Sequence, residues 1–292
     1  MRGSERNGPG KGSNPLSPHQ RTFGSHGNSW STGMRTLLAG LFLFVVSFSQ
    51  VYAFEEKALK NLKFLRKCAK CDLSGVDLHG QSLKQVDINK ANLSGANLEG
   101  ANLKDANLRK TDFSGAKLKK AKLSMFMYKA KLSKADLSYT DMTGADLRAA
   151  DMRGANLTAA KLTNSNLTRA KLNGATLDKA DLSGAILERA DLSGASLKGA
   201  NLRKANLSQG NLSKADLSGT NLTRAWLKTT NLKDANLTGA GLSKAELDEV
   251  DLSGANLSDV DLTKTILKNV KMDGAILCRT KLPRGEDNSG CK

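Results

Sequence analysis

The stretch ADLSGASLKGANLRKANL, residues 190–207, repeats nearly the same five residues several times in succession. Its leucines, Leu192, Leu197, Leu202 and Leu207, recur at a constant spacing of five. An α-helix has about 3.6 residues per turn and a strand alternates its side chains every second residue, so neither places every fifth residue on one face. The stretch therefore predicts a structure whose own period is five residues.

The five-residue period extends from Cys71 to Leu282. The centre of each unit is nearly always Leu, and the residue two positions before it is usually Ala. The residue just before the centre is often Asp or Asn, and the two that follow the centre are mostly polar. The two apolar positions of each unit, which accept only residues of restricted size, indicate a packed interior. The three variable polar positions indicate a solvent-exposed surface. Such self-similarity predicts a solenoid in which equivalent residues stack in columns.

The A(D/N)LXX pattern of these units resembles the pentapeptide-repeat family, and the resemblance covers about three-quarters of the chain. It implies an all-β fold, a right-handed quadrilateral β-helix over residues 71–282. In that fold each unit forms one side of a square, and four units complete a coil. About 20 residues per coil would give about eleven coils, with Leu and Ala pointing inward.

The repeat changes phase by one residue within KLSMFMYKAKL, residues 122–132. Unit centres run in one phase as far as Leu123 and resume from Met127 or Leu132. Two interpretations remain open at this stage: a kink or bulge that re-aims the faces, and a deletion of one residue that a loop absorbs.

The first 53 residues differ in composition from the repeats. Residues 1–33 are rich in Gly, Ser, Pro and Asn, and we interpret them as a disordered leader or an upstream mis-start. Residues 34–53 combine a positive Arg35, an apolar stretch at 37–48 and small residues before position 54, the pattern of a signal peptide. We predict cleavage after Ala53 and export to the periplasm or the extracellular space. The alternative is a membrane anchor formed by residues 36–53.

The two ends of the solenoid require caps, because they would otherwise expose the core and unpaired backbone. Residues 54–70 are rich in helix formers, and Ala58, Leu59, Leu62 and Leu65 fall near one helical face. This predicts a short N-terminal cap helix. Residues 283–292 are predicted to form a C-terminal cap, since Pro283 cannot donate a hydrogen bond to a strand ladder.

The cysteines are placed at these two ends, as CAKC (Cys68 and Cys71) and as Cys278 with Cys291. Export would place them in an oxidising compartment, where structural disulfides are expected. A thioredoxin-like redox pair is disfavoured, because its reactive cysteine lies at a helix N-terminus and this CAKC follows the predicted helix. A zinc site built from all four cysteines is also disfavoured, because the solenoid would separate the two pairs.

Enzymatic chemistry finds little support in the sequence. After residue 53 the chain has one histidine, His79, and this position is predicted to face outward. Neither a GxGxxG nor a GxxxxGK[ST] phosphate-binding motif is present. We therefore predict no enzyme activity, no cofactor and no catalytic or metal-binding residue.

Assigning four units to each coil sorts the outward residues into four faces. The first set defines a basic face, which has three acids, Asp141, Asp181 and Asp261, against eight cations: Lys161, Arg203, Lys204, Arg224, Lys244, Lys264, Lys281 and Arg284. A second face carries large apolar residues just before the centre, where Asp or Asn is usual. This predicted apolar stripe consists of Phe126, Ile186, Trp226 and Ile266.

These faces favour a structural or interaction protein. An exposed apolar stripe is typical of a docking surface for a protein partner or for a second copy of the chain. A basic face on a chain of formal charge +17 is typical of binding to an anionic polymer or to an envelope surface. Some pentapeptide-repeat proteins protect DNA gyrase by mimicking DNA with an acidic rod. This chain is strongly basic, so we expect no such mimicry.

Overall fold

The computed structural model describes residues 56–123 and 125–291. The predicted leader at 1–33 and the predicted signal segment at 34–53 therefore lie outside the described residues. The described residues belong to the second of two compact units of the chain, residues 50–292.

Parallel β-bridges join residues that lie 20 positions apart, or 19 across the phase change, from Lys67↔Asp87 to Asp261↔Lys281. Each bridge falls on the residue just before a unit centre, such as Asp191 paired with Asn211. At one site the pairing widens into two short parallel strands, β1 (Glu246–Asp248) and β2 (Ile266–Lys268). Because bridges recur every five residues and connect every twentieth, each coil has four sides of one unit each.

The four sides stack into four faces, which we number by the order in which the chain visits them. Face 1 contains the bridged pair Asn206↔Trp226, and face 2 contains Asp191↔Asn211. Face 3 contains Thr176↔Ser196, and face 4 contains Asn201↔Asn221.

The inward side chains are the two apolar positions of each unit. Leu202 and Ala200 illustrate the rule, since both are at most 1% exposed, as are most of their equivalents along the coils. Where a hydroxyl residue replaces Ala, it bonds to the backbone inside the wall: Thr111 Oγ1 donates to the carbonyl of Ile88 at 2.8 Å, and Ser165 Oγ to that of Leu162 at 2.7 Å. Such bonds satisfy polar groups that would otherwise be buried at a cost.

The corners are tight turns with a positive φ at the second residue after the centre. At one corner the amide of Ala96 donates to the carbonyl of Leu93 at 3.1 Å, and Gly95 between them has φ 66°. A positive φ at the third turn residue favours Gly, yet many corners carry Lys or Arg there. The Asp or Asn before the centre accepts the amide two residues on, as Asp72 Oδ1 does from Ser74 at 3.0 Å. This explains why either residue suits the position.

The phase change is one side of the solenoid shortened by one residue. The bridges Asn107↔Phe126 and Lys122↔Asp141 span 19 positions, whereas Phe126↔Asp146 again spans 20. Met127 is fully buried, so the second phase of centres begins there. A cleft of about 220 Å³ opens beside the shortened side, lined by Lys104, Asp105, Leu123, Met125, Asp141 and Thr143.

The N-terminal helix is shorter than the predicted span of 54–70. Helix α1 covers residues 56–60 and continues as a π-helical segment, Asn61–Leu65. It ends because Arg66 adopts a left-handed conformation, with φ 52°, and Lys67 already pairs with Asp87 of the next coil. The ladder thus begins four residues before the predicted boundary at residue 71.

One residue of the predicted apolar helix face is placed differently. Ala58 and Leu62 are buried against the core, and Leu59 is half-buried against it. Leu65 is instead 65% exposed. The wider i→i+5 winding of the π-helical segment rotates it away from the stripe that α-helical spacing would give.

The C-terminal segment contains an antiparallel hairpin. Strand β3 (Thr280–Leu282) pairs with β4 (Gly285–Asp287), and Pro283 lies in the turn between them. Proline has no backbone N–H, and in this turn no ladder hydrogen bond is lost. The parallel ladder therefore ends just before Pro283. Further on, a side chain at Gly290 would lie 2.5 Å from the amide nitrogen of Leu277. Glycine is needed there because the tail packs backbone to backbone against the last coil.

Candidate interaction faces

The predicted apolar stripe lies on face 1. The bridges run Asn166↔Ile186, Ile186↔Asn206, Asn206↔Trp226 and Trp226↔Glu246, and Ile266 pairs with Glu246 in the next coil. The side chains of Ile186, Trp226 and Ile266 are 39%, 44% and 57% exposed. They recur on every second coil, about 10 Å apart at the usual spacing of paired strands.

Phe126 belongs to the same column but not to the same cluster. It lies three coils before Ile186, with Asp146 and Asn166 between them. The guanidinium carbon of Arg109 lies 5.1 Å from the centre of its ring, a cation–π contact. The stripe is therefore a C-terminal group of three residues and one separate phenylalanine.

The predicted basic face corresponds to face 4, but its eight cations are not evenly spread. Lys161 lies between two acids of the same column, as the bridges Asp141↔Lys161 and Lys161↔Asp181 show. The other seven all follow residue 202 and are exposed. The structure therefore separates Lys161 from a C-terminal cluster that includes Arg203 and Lys281.

Five cations of that cluster align along one edge: four occupy the same corner on consecutive coils, and the fifth follows them in the terminal hairpin. We call this group the cationic corner; it consists of Lys204, Arg224, Lys244, Lys264 and Arg284. Each follows a face 4 centre by two residues. At the first four the corner joins face 4 to face 1, whereas Arg284 lies in the turn of the terminal hairpin between β3 and β4. In the described part of the chain, none of the five forms an ion pair within 4.0 Å.

Sequence reasoning missed that the corner borders the apolar stripe. Arg224 precedes Trp226 by two residues, and Lys264 precedes Ile266 by two. Reading the sequence in steps of 20 from Lys204 would have revealed the alignment. It also missed a second cationic column at the far corner of face 1, near the N-terminal end: Lys70, Lys90, Lys110 and Lys129.

Elsewhere on the surface, several charges on neighbouring coils form opposite pairs. Lys131 Nζ lies 3.0 Å from Asp112 Oδ2, and Lys228 Nζ lies 3.3 Å from Asp248 Oδ2. Within single units, the Arg148 guanidinium bonds to Asp146 and that of Arg153 bonds to Asp151. These two guanidinium groups lower the pKa of Asp146 and of Asp151, and the hydroxyl and amide of Ser253 lower that of Asp251.

We expect these carboxylates to make stability fall in acid. Their folded-state pKa values lie below the ordinary value of 3.8, so the stability they contribute is present above that pH and is lost as the pH falls through the folded pKa. The melting temperature should be nearly constant from pH 7 to pH 5 and drop below about pH 4. The double variant Asp146→Asn/Asp151→Asn keeps a side-chain oxygen that accepts from the backbone amides of Arg148 and Arg153, but it removes the two carboxylates. The drop in melting temperature below pH 4 should therefore be smaller in this variant. An unchanged acid slope in this variant would show that the two pairs do not contribute.

The four cysteines form two disulfides, Cys68–Cys71 at the N-terminal end and Cys278–Cys291 at the C-terminal end. His79 lies on the surface, and its amide donates to Asp77 Oδ1 at 3.0 Å as part of an ordinary corner. Residues 56–123 and 125–291 contain no cluster of His, Cys, Asp or Glu able to hold a metal ion. Nor does any helix in these residues have the length and apolar character needed to span a membrane.

A four-sided parallel solenoid with five-residue sides defines a class of repeat protein. The pentapeptide-repeat family model matches this chain in eight copies, over residues 67–124 and 127–282. The chain belongs to the pentapeptide-repeat family. The fold of that family is a right-handed quadrilateral β-helix, and its members are generally non-catalytic structural or interaction proteins.

Several solved structures resemble the chain. HetL, a pentapeptide repeat protein involved in heterocyst differentiation regulation in the cyanobacterium Nostoc, is 32% identical over 76% of this chain and 93% of its own, with a TM-score of 0.42. A pentapeptide repeat protein of the Arabidopsis thaliana thylakoid lumen is 35% identical over 31% of this chain and 63% of its own, with a TM-score of 0.30. QnrB1, a plasmid-mediated fluoroquinolone resistance protein, is 24% identical over 62% of this chain and 83% of its own, with a TM-score of 0.38. No curated protein matches the chain significantly.

Proposed function

We propose that this chain is an exported, non-catalytic scaffold that presents the outward columns of its solenoid to a macromolecular partner. The observation that carries the proposal is the contrast between the two sides of the coil wall. The inward Leu and Ala are uniform, whereas the outward residues differ from column to column. Packing requires the inward set alone, so it does not account for Ile186, Trp226 and Ile266 recurring in one column.

The scaffold consists of about eleven coils with a cap at each end. Helix α1 supports the N-terminal cap, because Ala58 and Leu62 are buried on the first coil. The hairpin of β3 and β4 supports the C-terminal cap, and the Cys278–Cys291 disulfide ties the tail to it.

Export is supported by the signal-like segment at 34–53 and by the two disulfides, since disulfides persist mainly in oxidising compartments. N-terminal sequencing of the exported protein tests it. We expect the sequence to begin at Phe54. A protein that begins at Gly3 or Ser4 would contradict both the cleavage and the interpretation of residues 1–33, and an uncleaved protein held in the membrane would favour the anchor at 36–53.

The docking role of the apolar stripe is tested by immobilising the chain and applying an envelope extract of the source organism. Two variants are compared: Trp226→Lys on face 1 and Thr176→Lys at the equivalent position on face 3. Lysine already occupies that position of face 3 at Lys117, so the control should fold normally. We expect Trp226→Lys to lose the bound component and Thr176→Lys to retain it. Equal retention by both would exclude the stripe as the docking surface.

A second function, binding of an anionic polymer, is favoured by the cationic corner. Its test is the affinity for polyphosphate at increasing salt. Binding through several cations should weaken linearly in a plot of log K against log salt, by analogy with nucleic acids. Affinity that does not change with salt would exclude this function.

A further inference from the structure

The cationic corner and the C-terminal part of the apolar stripe form one continuous surface. Arg224 and Trp226 belong to the same coil, separated by the buried Ala225, and Lys264 and Ile266 are separated by the buried Thr265. The backbone continues this arrangement between coils, because the amide of Lys244 donates to the carbonyl of Lys264 at 2.8 Å. Cations and apolar side chains thus follow parallel lines along one edge of the solenoid.

The column Lys70, Lys90, Lys110 and Lys129 shares the repetition of positive charge seen at this edge, whereas other neighbouring coils pair opposite charges. Neighbouring coils pair Lys198 with Asp216 at 3.3 Å and Lys228 with Asp248 at 3.3 Å. At the corner, four cations occur on consecutive coils, which lie about 4.8 Å apart, and Arg284 follows them in the terminal hairpin. Hydrogen bonds from Thr263 lower the pKa of Asp261, and Lys264 contributes little to that shift. Hydrogen bonds from Ser289 likewise lower the pKa of Asp287, and Arg284 contributes little. An external anionic surface would relieve the repulsion that this column retains.

The backbone at the same corner also favours glycine over the residues present. Lys204, Arg224 and Lys244 have φ values of 59°, 60° and 60°. Glycine adopts this conformation without strain and occupies the equivalent corner position at Gly144 and Gly184 of the same face. Three basic residues therefore stand where glycine would be less strained, as Lys and Arg also do at many other corners.

The apolar side chains of this edge indicate which class of anionic partner it fits. Ile186 and Ile266 have no aromatic face on which a base could stack, and a hydrated polymer would leave them in water. Hydrocarbon accepts such side chains, and Trp is favoured at the boundary between hydrocarbon and polar headgroups. A second copy of this chain would bring an identical row of cations against the first. Glu246 is the one acid of the column between Ile186 and Ile266, and Lys244 precedes it by two residues.

We propose that this edge binds the surface of an anionic lipid bilayer, with the cationic corner on the headgroups and Ile186, Trp226 and Ile266 inserted at the boundary. The inference rests on the proposed function, for which it names the partner. The contact line covers four coil steps, about 19 Å. Cations combined with apolar side chains are the two elements that hold proteins on anionic membrane surfaces.

The test measures quenching of Trp226 fluorescence by vesicles whose lipids carry brominated acyl chains. The full chain carries Trp30→Phe, so that Trp226 is its one tryptophan. Residues 37–48 are apolar and can hold the chain to lipid by themselves, so contact is measured at Trp226 and not as the amount of bound protein. We expect strong quenching by phosphatidylglycerol vesicles, weak quenching by phosphatidylcholine vesicles, and a loss of quenching as salt is raised.

Two triple variants distinguish the contribution of this edge from that of the overall positive charge of the chain. Lys204→Gln/Lys244→Gln/Lys264→Gln removes three cations from the corner, and Lys134→Gln/Lys179→Gln/Lys214→Gln removes three exposed cations from the same turn position at other corners. The first should reduce quenching at least five-fold and the second by less than half. Replacing Ile186 and Ile266 by Asn should also reduce it.

Equal quenching by neutral and anionic vesicles, or equal loss in the two triple variants, would overturn the inference. Binding of polyphosphate without any quenching by lipid would overturn it in favour of a soluble polymer and leave the proposed scaffold function intact. A different outcome would contradict the proposed docking function itself. In that outcome the chain binds neither lipid nor polyphosphate, and Trp226→Lys retains the same component of the envelope extract as the natural chain.

Discussion

Replacing Leu202 by Asp is expected to unfold the coils around it and to lower the free energy of unfolding by about 4 kcal/mol or more. Leu202 is fully buried, and its amide donates to the carbonyl of Asn221 in the next coil at 2.8 Å. The substitution removes apolar contacts and places an unpaired carboxylate in the core. Because each coil is stabilised mainly by its neighbours, the loss should spread to the adjacent coils.

Lys204→Asp is the matched control, since it introduces the same residue two positions later. Lys204 is exposed at a corner with φ 59°, and Asp tolerates this conformation better than most residues. Its melting temperature should stay close to that of the natural chain. Thermal unfolding followed by circular dichroism compares the two variants, and equal melting temperatures would refute the assignment of inward and outward positions.

Deleting one five-residue unit is expected to rotate every downstream residue onto the preceding face. The reporter is a disulfide between Asn206→Cys and Trp226→Cys, two positions that form a β-bridge in the natural chain. Paired residues lie about 4.8 Å apart, within the Cα separation that a disulfide accepts. Deletion of residues 211–215 moves residue 226 out of the column of residue 206, so the cross-link should fall from nearly complete to nearly absent.

Deletion of residues 231–235 is the control for this experiment, because it removes a unit of the same size beyond both cysteines. It should leave the cross-link unchanged. Both deletions keep the alternation of inward Leu and Ala, so both chains should fold. Peptide mapping by mass spectrometry after oxidation measures the fraction of chains that carry the cross-link. An unchanged fraction in the 211–215 deletion would contradict the four-sided coil.

The inward and outward positions were predictable because the repeat imposes them. Leu202 and Ala200 belong to the two positions that vary least, and a buried column tolerates little variation in size. The alignment of Trp226 with Ile266 followed from counting units once four per coil was assumed. The same counting placed Lys161 and Lys281 on one face, but the intervening Asp181 and Asp261 show that a shared face is not a shared cluster.

The ends were less predictable, because there the pattern no longer constrains the chain. Lys67 enters the ladder although its neighbours Arg66 and Cys68 do not match Ala and Leu. The winding that exposes Leu65 depends on packing against the first coil. The hairpin of β3 and β4 lies where the repeats stop, and there only Pro283 marks the turn.

The phase change shows a different limit of the sequence. The sequence allowed a kink or bulge, or a deletion of one residue absorbed by a loop, and it did not decide whether Met127 or Leu132 was the next centre. The 19-residue bridges on each side of it show a shortened side with Met127 buried. The cationic corner was missed for a related reason, since the importance of Lys204 and Arg224 depends on which corner joins face 4 to face 1.

The most direct test of the four-sided coil is one distance, measured between spin labels at Asp105→Cys and Lys264→Cys by pulsed electron resonance. Both positions are exposed and occupy the same corner, eight coils apart. At the usual strand spacing we expect a distance of about 38 Å. A coil of three units would place the labels about 51 Å apart, and that result would contradict the arrangement that aligns the cationic corner with Ile186, Trp226 and Ile266.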